Sequence, residues 1–205
     1  MPFNSLGFIY GFLPVSIILI HFVHKTVPTR ANFVFIVISM VFMALDSTNA
    51  FILLLSSAAA NYAVGSLIVD IQRKDGTTNR VLAYGIGMNV LFLAFFKYAN
   101  GAFAILNHVL GTHITAIALP LAISFYTFSQ ISYLIELSRK QIERPSPADY
   151  LCYVLFFPKL IAGSIARPSE FLPQLKMVRS GAWLSEQRWK GAAFFIVGLF
   201  KKACI

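Results

Sequence analysis

Long apolar stretches, each ended by a short polar or charged cluster, occupy most of this 205-residue chain. A helix needs roughly 20 predominantly apolar residues to cross the hydrocarbon core of a bilayer. The pattern therefore predicts an all-α membrane protein, a multi-span helical bundle that forms a single transmembrane domain. The predicted spans cover residues 6–24, 31–45, 49–69, 81–96 and 116–137, and a further span begins within 191–205.

Local signals refine these boundaries. Pro14 is expected to kink the first span, since proline inside a helix removes a backbone hydrogen bond. The second and third spans are separated by a polar run at 46–49, in which Thr48 or Asn49 is expected to cap the following helix. Residues 98–115 contain two glycines and two histidines and are expected to form an interfacial or partly embedded link.

The amino-acid composition is typical of a protein that is surrounded mainly by lipid. Hydrophobic residues make up 58% of the chain and charged residues only 12%, against about 25% charged in soluble proteins. The net charge of +9 comes from Lys and Arg gathered in short clusters between apolar runs, which is typical of loops that face anionic lipid. We expect membrane lipid as a partner and no nucleic acid, because no basic stripe or RNA-binding motif is present.

The distribution of Lys and Arg predicts the orientation in the membrane. Cytoplasmic loops carry an excess of these residues, and here the loops after the first, third and fifth spans do so. The N-terminus is therefore predicted to lie outside the cytoplasm. The basic residues of the three loops are Lys25 and Arg30, then Arg73, Lys74 and Arg80, then Arg139, Lys140 and Arg144.

The apolar run at 150–166 does not fit a full span. It is short and interrupted by Pro158 and Gly163, and crossing would place the basic loop that follows it outside. A re-entrant segment over about 150–166 resolves both problems, with Lys159 and Arg167 facing a water-filled or protein-covered cavity. The alternative is that both side chains snorkel to lipid phosphates and have no further role.

Other polar groups are candidates to line a path through the bundle. Ser124, Tyr126 and Tyr133 place hydroxyls on the fifth span, although such groups in lipid also bond to the backbone or to a neighbouring helix. Glu136 follows them, and a local ion pair with Arg139 at i+3 or Lys140 at i+4 is its simplest interpretation. Lining the cytoplasmic mouth of a tunnel is the alternative.

The four histidines do not form a recognisable site. His21, His24, His108 and His113 lack carboxylate partners at helical spacing, so interfacial or packing roles are expected. No metal site is predicted, because Asp, Glu and Cys are missing at ligand spacing around them.

Five sequence blocks resemble a known family, the membrane-bound O-acyltransferases, and in particular their alginate O-acetyltransferase-like branch. Glu136 and Ser164 depart from the family pattern, in which aspartate and proline are commoner. The blocks are FFKYAN at 95–100, LPLAISFYTF at 119–128, ISYLIE at 131–136, FFPKLIAGSIARPSEFLPQL at 156–175 and GLFKK at 198–202.

The resemblance implies a membrane enzyme of the bacterial inner membrane, with a tunnel through the bilayer. Such an enzyme moves an acetyl group from a cytoplasmic thioester to a hydroxyl of an extracytoplasmic polysaccharide such as alginate. The donor would be acetyl-CoA or an acylated carrier, with no bound cofactor. Other exopolysaccharide acetylation proteins or a carrier protein would be partners. Lys159 and Arg167 could attract the phosphates of the donor.

The family's catalytic histidine lies downstream of the GLFKK block, so no catalytic residue is expected within this chain. We expect the chain to be an N-terminal portion that is inactive alone, because its last apolar run stops before completing a span. Within the family, D-alanyl transfer to teichoic acid with a carrier-protein partner is an alternative. Outside it, a transporter fragment or an inactive membrane scaffold remains open.

Overall fold

The computed structural model describes residues 7–27, 31–44, 47–111, 113, 115–117, 120, 122–160, 166–179 and 185–204. Within these ranges every regular element is a helix and no strand occurs, which confirms the predicted all-α class. A π-helical segment, Phe8–Phe12, leads into the first α-helix. The α-helices are α1 Leu13–Thr26, α2 Ala31–Ala44, α3 Thr48–Arg73, α4 Asn79–Leu110, α5 Ile123–Ser138, α6 Pro147–Leu155, α7 Phe157–Leu160, α8 Pro168–Arg179 and α9 Ser185–Cys204.

The π-helical segment is the structural response to Pro14. Proline cannot donate to the carbonyl four residues before it, and its ring crowds that carbonyl. Here the preceding turn is widened, so that the Leu13 N–H bonds to the Phe8 carbonyl five residues back. Segments of this kind are a recognised cause of bends in helices.

The start of α3 corrects one sequence prediction. Ser47, with an extended backbone, caps the helix, and its hydroxyl accepts a hydrogen bond from the Ala50 N–H at 3.4 Å. The prediction that Thr48 or Asn49 is the cap is wrong, because both already belong to the first helical turn. A cap residue must keep a non-helical backbone to place its oxygen over the free N–H groups.

Two helices, α3 and α4, are long and apolar enough to cross a membrane. Helix α4 continues to Leu110, so the segment after residue 98 is helical where the sequence suggested a link. Gly111, in a left-handed conformation at φ 64°, ends the helix. The Asn100 side chain holds the returning chain, since its amide N–H donates to the Ile117 carbonyl at 2.7 Å and its oxygen accepts from the Ile117 N–H at 2.8 Å.

The interior is centred on α5, which packs against both α3 and α4, while α2 packs against α6. Leu54, Ile68 and Leu134 are fully buried in this core. In contrast, Ile18 on α1, Leu91 on α4 and other large apolar side chains are more than half exposed. Soluble proteins rarely expose apolar surface on this scale. The combination is that of a helical membrane protein whose outer face meets lipid.

The described part of the predicted re-entrant region consists of most of α6 and the short helix α7. Helix α6 ends at Leu155, Phe156 interrupts the chain, and α7 occupies only Phe157–Leu160. Residues 161–165, which include Gly163 and Ser164, lie outside the described residues. Broken helices at membrane depth need cover by protein, and Tyr153, Leu155 and Phe157 are indeed buried. Re-entry from the cytoplasmic face stays a prediction.

Aromatic rings anchor the start of α7. The Phe157 ring lies 5.5 Å from each of the rings of Phe12 and Phe42 and 6.4 Å from that of Phe8. Its N–H lies 3.3 Å from the hydroxyl of Ser39 on α2. These contacts fix the residue just before Pro158 against the π-helical segment and α2, and so set the position of Lys159.

Candidate functional site

Lys159 is a buried cation surrounded by aromatic rings. Its side chain is only 8% exposed, and the ammonium nitrogen lies 3.5 Å from the centroid of Tyr153 and 5.5 Å from that of Phe171. Nζ has no hydrogen-bond partner among the residues that the structure describes. Burial of an ammonium group is costly, and interaction with the face of an aromatic ring offsets part of that cost.

Tyr153 connects this lysine to the rest of the site. Its hydroxyl lies 3.2 Å from the Ser129 carbonyl on α5 and 3.0 Å from the Ala166 carbonyl just before α8, so it can donate to either. Its ring also packs edge-on against Phe171 of α8 at 5.5 Å. Tyr153 therefore holds α5, α6 and the start of α8 together while it contacts the Lys159 ammonium.

Arg167 has a different environment from Lys159. It is exposed, and its carbonyl accepts from the N–H groups of Glu170 and Phe171 in the first turn of α8. The sequence grouped the two cations as facing one cavity, whereas the structure buries one and exposes the other. Binding of a donor by either residue stays a prediction.

Glu136 does not form the expected local ion pair with Arg139 or Lys140. Its side chain is 5% exposed, and its carboxylate accepts a hydrogen bond from the Ser169 N–H at 2.9 Å. The local pair fails because α5 ends at Ser138, after which Lys140 adopts a left-handed backbone at φ 56°. The carboxylate instead caps the N-terminus of α8, where a negative charge is favourable.

The candidate hydroxyls on α5 differ in burial. Tyr126 and Tyr133 are fully buried, and their hydroxyls have no hydrogen-bond partner among the described residues, whereas Ser124 is half-buried. The Tyr133 ring packs against the Tyr150 ring at 4.6 Å. A role for Ser124, Tyr126 or Tyr133 in lining a tunnel stays a prediction.

A buried amide network was missed by sequence reasoning. The Asn61 amide of α3 donates to the side-chain oxygens of Asn89 on α4 at 3.1 Å and of Gln130 on α5 at 2.8 Å. Asn89 donates back to Asn61 at 2.6 Å, and the Ser57 hydroxyl bonds to Gln130 at 2.8 Å. The available signal was an amide in the middle of each of three apolar helices, since such groups join helices in lipid.

A cavity of about 450 Å³ lies between the α5–α6 loop and α8. One part of its wall is charged, and Asp149 in this wall accepts a hydrogen bond from the Asn32 amide of α2. Another part is apolar. The charged and polar lining includes Gln141, Glu143, Arg144, Asp149, Ser169 and Lys176.

The three histidines whose side chains the structure describes do not converge on a metal site. His21, His108 and His113 are exposed, and the side chain of His24 lies outside the described residues. No group of three or more His, Cys, Asp or Glu side chains suited to holding a metal ion occurs in the described part of the chain.

Comparison with known proteins identifies relatives whose similarity extends over nearly the whole of this chain. The peptidoglycan O-acetyltransferase of Helicobacter pylori is 30% identical, with 99% of this chain and 44% of the relative covered. The probable alginate O-acetylase AlgI of Pseudomonas aeruginosa is 29% identical, with 100% and 40% covered. The corresponding protein of Azotobacter vinelandii is 29% identical, with 100% and 41% covered. No family model and no solved structure matches the chain.

These relatives agree with the resemblance found in the sequence blocks. The helical membrane fold and matches that cover all or nearly all of this chain confirm that it resembles the membrane-bound O-acyltransferases, in their alginate O-acetyltransferase-like branch. The chain spans about two fifths of the length of the curated relatives it matches.

Proposed function

We propose that this chain is the N-terminal part of an integral-membrane O-acetyltransferase that modifies an extracytoplasmic polysaccharide. One observation carries the proposal: almost the whole of this chain matches part of two proteins, one named for O-acetylation of peptidoglycan and one for O-acetylation of alginate. We further propose that the protein resides in the bacterial inner membrane with its N-terminus outside and the loops around Arg73 and Arg144 in the cytoplasm, on the ground of their positive charge.

The chemistry is transfer of an acetyl group from a thioester to an alcohol. The hydroxyl proton passes to a general base as the acceptor oxygen forms a bond to the acetyl carbonyl carbon. The carbon–sulfur bond then breaks, and the leaving thiolate takes up that proton as a free thiol. Donors for the developing oxyanion complete such a site. No residue of this chain is assigned as the base, which we place in the part of the enzyme beyond residue 205. This chain would supply part of the helical scaffold and the side of the enzyme from which the acetyl donor approaches.

Lys159 and Arg167 have distinct proposed roles on that donor side. Arg167 is exposed and could meet the phosphates of acetyl-CoA or of an acylated carrier first. Lys159 is buried, and its ammonium would attract negative charge that approaches α7. In the complete protein we expect Arg167→Ala and Lys159→Met to lower acetyl transfer without lowering the amount of protein in the membrane.

Lys159→Met separates function from folding. Methionine retains the apolar stem against Tyr153 and removes the buried ammonium, so stability should not fall. Lys140→Met, on an exposed residue, is the matched control. Acetyl transfer by Lys159→Met equal to that of the control, at matched protein level, would contradict a role for the charge.

Deletion of the reading frame in its own bacterium tests the proposed function. Mild alkali releases ester-linked acids from purified peptidoglycan and from secreted polysaccharide, and the released acids identify the transferred group. We expect acetate to be lost from one polymer on deletion and restored by the complete reading frame. Loss of D-alanine would support transfer to teichoic acid instead, and unchanged esters in every polymer would contradict an acyltransferase.

A further inference from the structure

The cavity beside α8 has a charge pattern that the proposed acetyl transfer does not use. Arg144 and Lys176 bring two cations to its wall, and Glu143 brings an exposed carboxylate. In the part of the chain that the structure describes, no ion pair joins Glu143 to Arg144 or Lys176, and Asp149, the second carboxylate of the wall, accepts from the Asn32 amide. The Arg144 guanidinium instead lies over the Tyr62 ring at 5.5 Å. Opposite charges that line one cavity without neutralising each other are suited to a ligand that carries both signs.

The backbone of α8 contains a carbonyl that Pro173 leaves without its usual helical partner. Pro173 lies inside the helix and has no N–H to donate to the Ser169 carbonyl four residues earlier. Ser169 lines the cavity. A carbonyl without its helical partner and the nearby Glu143 carboxylate are both acceptors for an ammonium group, whereas Arg144 and Lys176 are donors for a phosphate.

The position and shape of the cavity favour a lipid over a soluble ligand. Its remaining wall is formed by apolar side chains, among them Ile142 and Leu172, next to the charged part. Helix α8 is short and carries a mixed polar and apolar sequence, as helices that lie in the membrane interface do. The loop that forms the other side is one of those expected in the cytoplasm. The volume of about 450 Å³ falls in the range of small-molecule sites, roughly 300–1,000 Å³.

We propose that this cavity binds the headgroup of a zwitterionic phospholipid with a primary ammonium group, of the phosphatidylethanolamine class. The phosphate lies at Arg144 and Lys176, the ammonium at Glu143 and the Ser169 carbonyl, and the glycerol end at Ile142 and Leu172. The proposal depends on the cavity and on the membrane class, not on acetyl transfer, so its test is independent of the proposed function.

Native mass spectrometry of the complete protein released from defined bilayers tests the proposal. The probes are phosphatidylcholine membranes that contain either phosphatidylethanolamine or phosphatidylglycerol. We expect the complete protein to retain phosphatidylethanolamine in preference to both other lipids. Arg144→Ala combined with Lys176→Ala should weaken its retention about tenfold, because charge-assisted bonds to the phosphate are lost. Glu143→Gln should abolish the preference for ethanolamine over choline.

Arg139→Ala combined with Lys140→Ala is the matched control, since it removes the same charge from exposed residues that do not line the cavity. Circular dichroism checks that each variant keeps its helix content. Equal retention of phosphatidylglycerol, equal loss in the control, or an unchanged headgroup preference in Glu143→Gln would overturn the proposal. Binding of soluble O-phosphoethanolamine with no preference for the lipid would contradict a lipid occupant. If the double variant fails to fold, the headgroup preference of Glu143→Gln tests the proposal by itself.

Discussion

Asn61 and Asn89 exchange hydrogen bonds between α3 and α4, with the amide of each donating to the side-chain oxygen of the other, at 3.1 Å and 2.6 Å. Both side chains are almost fully buried. Hydrocarbon offers no replacement partner, so the pair fixes how the two long apolar helices are aligned. Gln130 extends this alignment to α5 through its bond with Asn61.

Asn89→Leu should destabilise the bundle. The substitution removes both bonds of the pair and leaves the Asn61 oxygen without its partner, for an expected loss of about 1–2 kcal/mol in the free energy of unfolding. Unfolding by dodecyl sulfate in mixed micelles measures this quantity. Leu91→Ala, on a lipid-facing residue of the same helix that is 72% exposed, is the control. Equal stability of Asn89→Leu and the control would show that the amide pair does not set helix alignment.

Gly65 allows Tyr133 to pack close to α3. A Cβ atom at this position would lie 2.5 Å from the Tyr133 hydroxyl oxygen and 2.8 Å from its Cε1. Tyr133 cannot retreat easily, because its other side packs on Tyr150. Gly65→Ala should therefore lower the free energy of unfolding by about 1–3 kcal/mol, as overpacking does.

Gly87→Ala is the matched control for this effect. Gly87 also lies inside a helix, but a Cβ atom there would meet no other atom within 4 Å. Alanine is the better helix former, so stability should stay unchanged or rise by up to about 1 kcal/mol. Similar behaviour of the two variants would contradict the close approach of Tyr133 to Gly65.

Glu136 stabilises the first turn of α8 by a direct hydrogen bond, although the two lie 33 residues apart in the sequence. Glu136→Ala leaves the Ser169 N–H without an acceptor and removes a favourable charge, for an expected cost of about 1–2 kcal/mol. Hydrogen exchange in the first turn of α8 should speed up, and less so in Glu136→Gln, which keeps an acceptor oxygen. Glu170→Ala removes an exposed carboxylate from the same turn as a control. Unchanged exchange in Glu136→Ala would show that the capping contact is unimportant.

The proposed orientation predicts which residues a membrane-impermeant thiol reagent reaches. Lys176→Cys should react only from the cytoplasmic side and His113→Cys only from outside, because both native residues are exposed and lie at opposite ends of the predicted topology. Cys152 is buried and contributes little background, and Cys204 is replaced by serine. Labelling of Lys176→Cys from outside would mean that residues 150–166 cross the membrane fully.

The sequence predicted the class of protein well and the contacts between side chains less well. Apolar runs predicted the helices because lipid exposure leaves a strong composition signal. The Glu136 contact was missed because its partner Ser169 lies 33 residues away, whereas the i+3 and i+4 basic residues were visible in the sequence. The length of α4 was underestimated because Gly101 suggested a break, although a glycine within an apolar run costs only about 1 kcal/mol.

Acetyl transfer across sealed inside-out membrane vesicles tests the central claim most directly. Vesicles that contain the complete protein are given isotope-labelled acetyl-CoA together with cytosol, so that both candidate donors are supplied on the cytoplasmic face. We predict alkali-labile labelled acetate on polysaccharide inside the vesicles, and none in vesicles from the deletion strain. Equal labelling with and without the protein would contradict its role as an O-acetyltransferase.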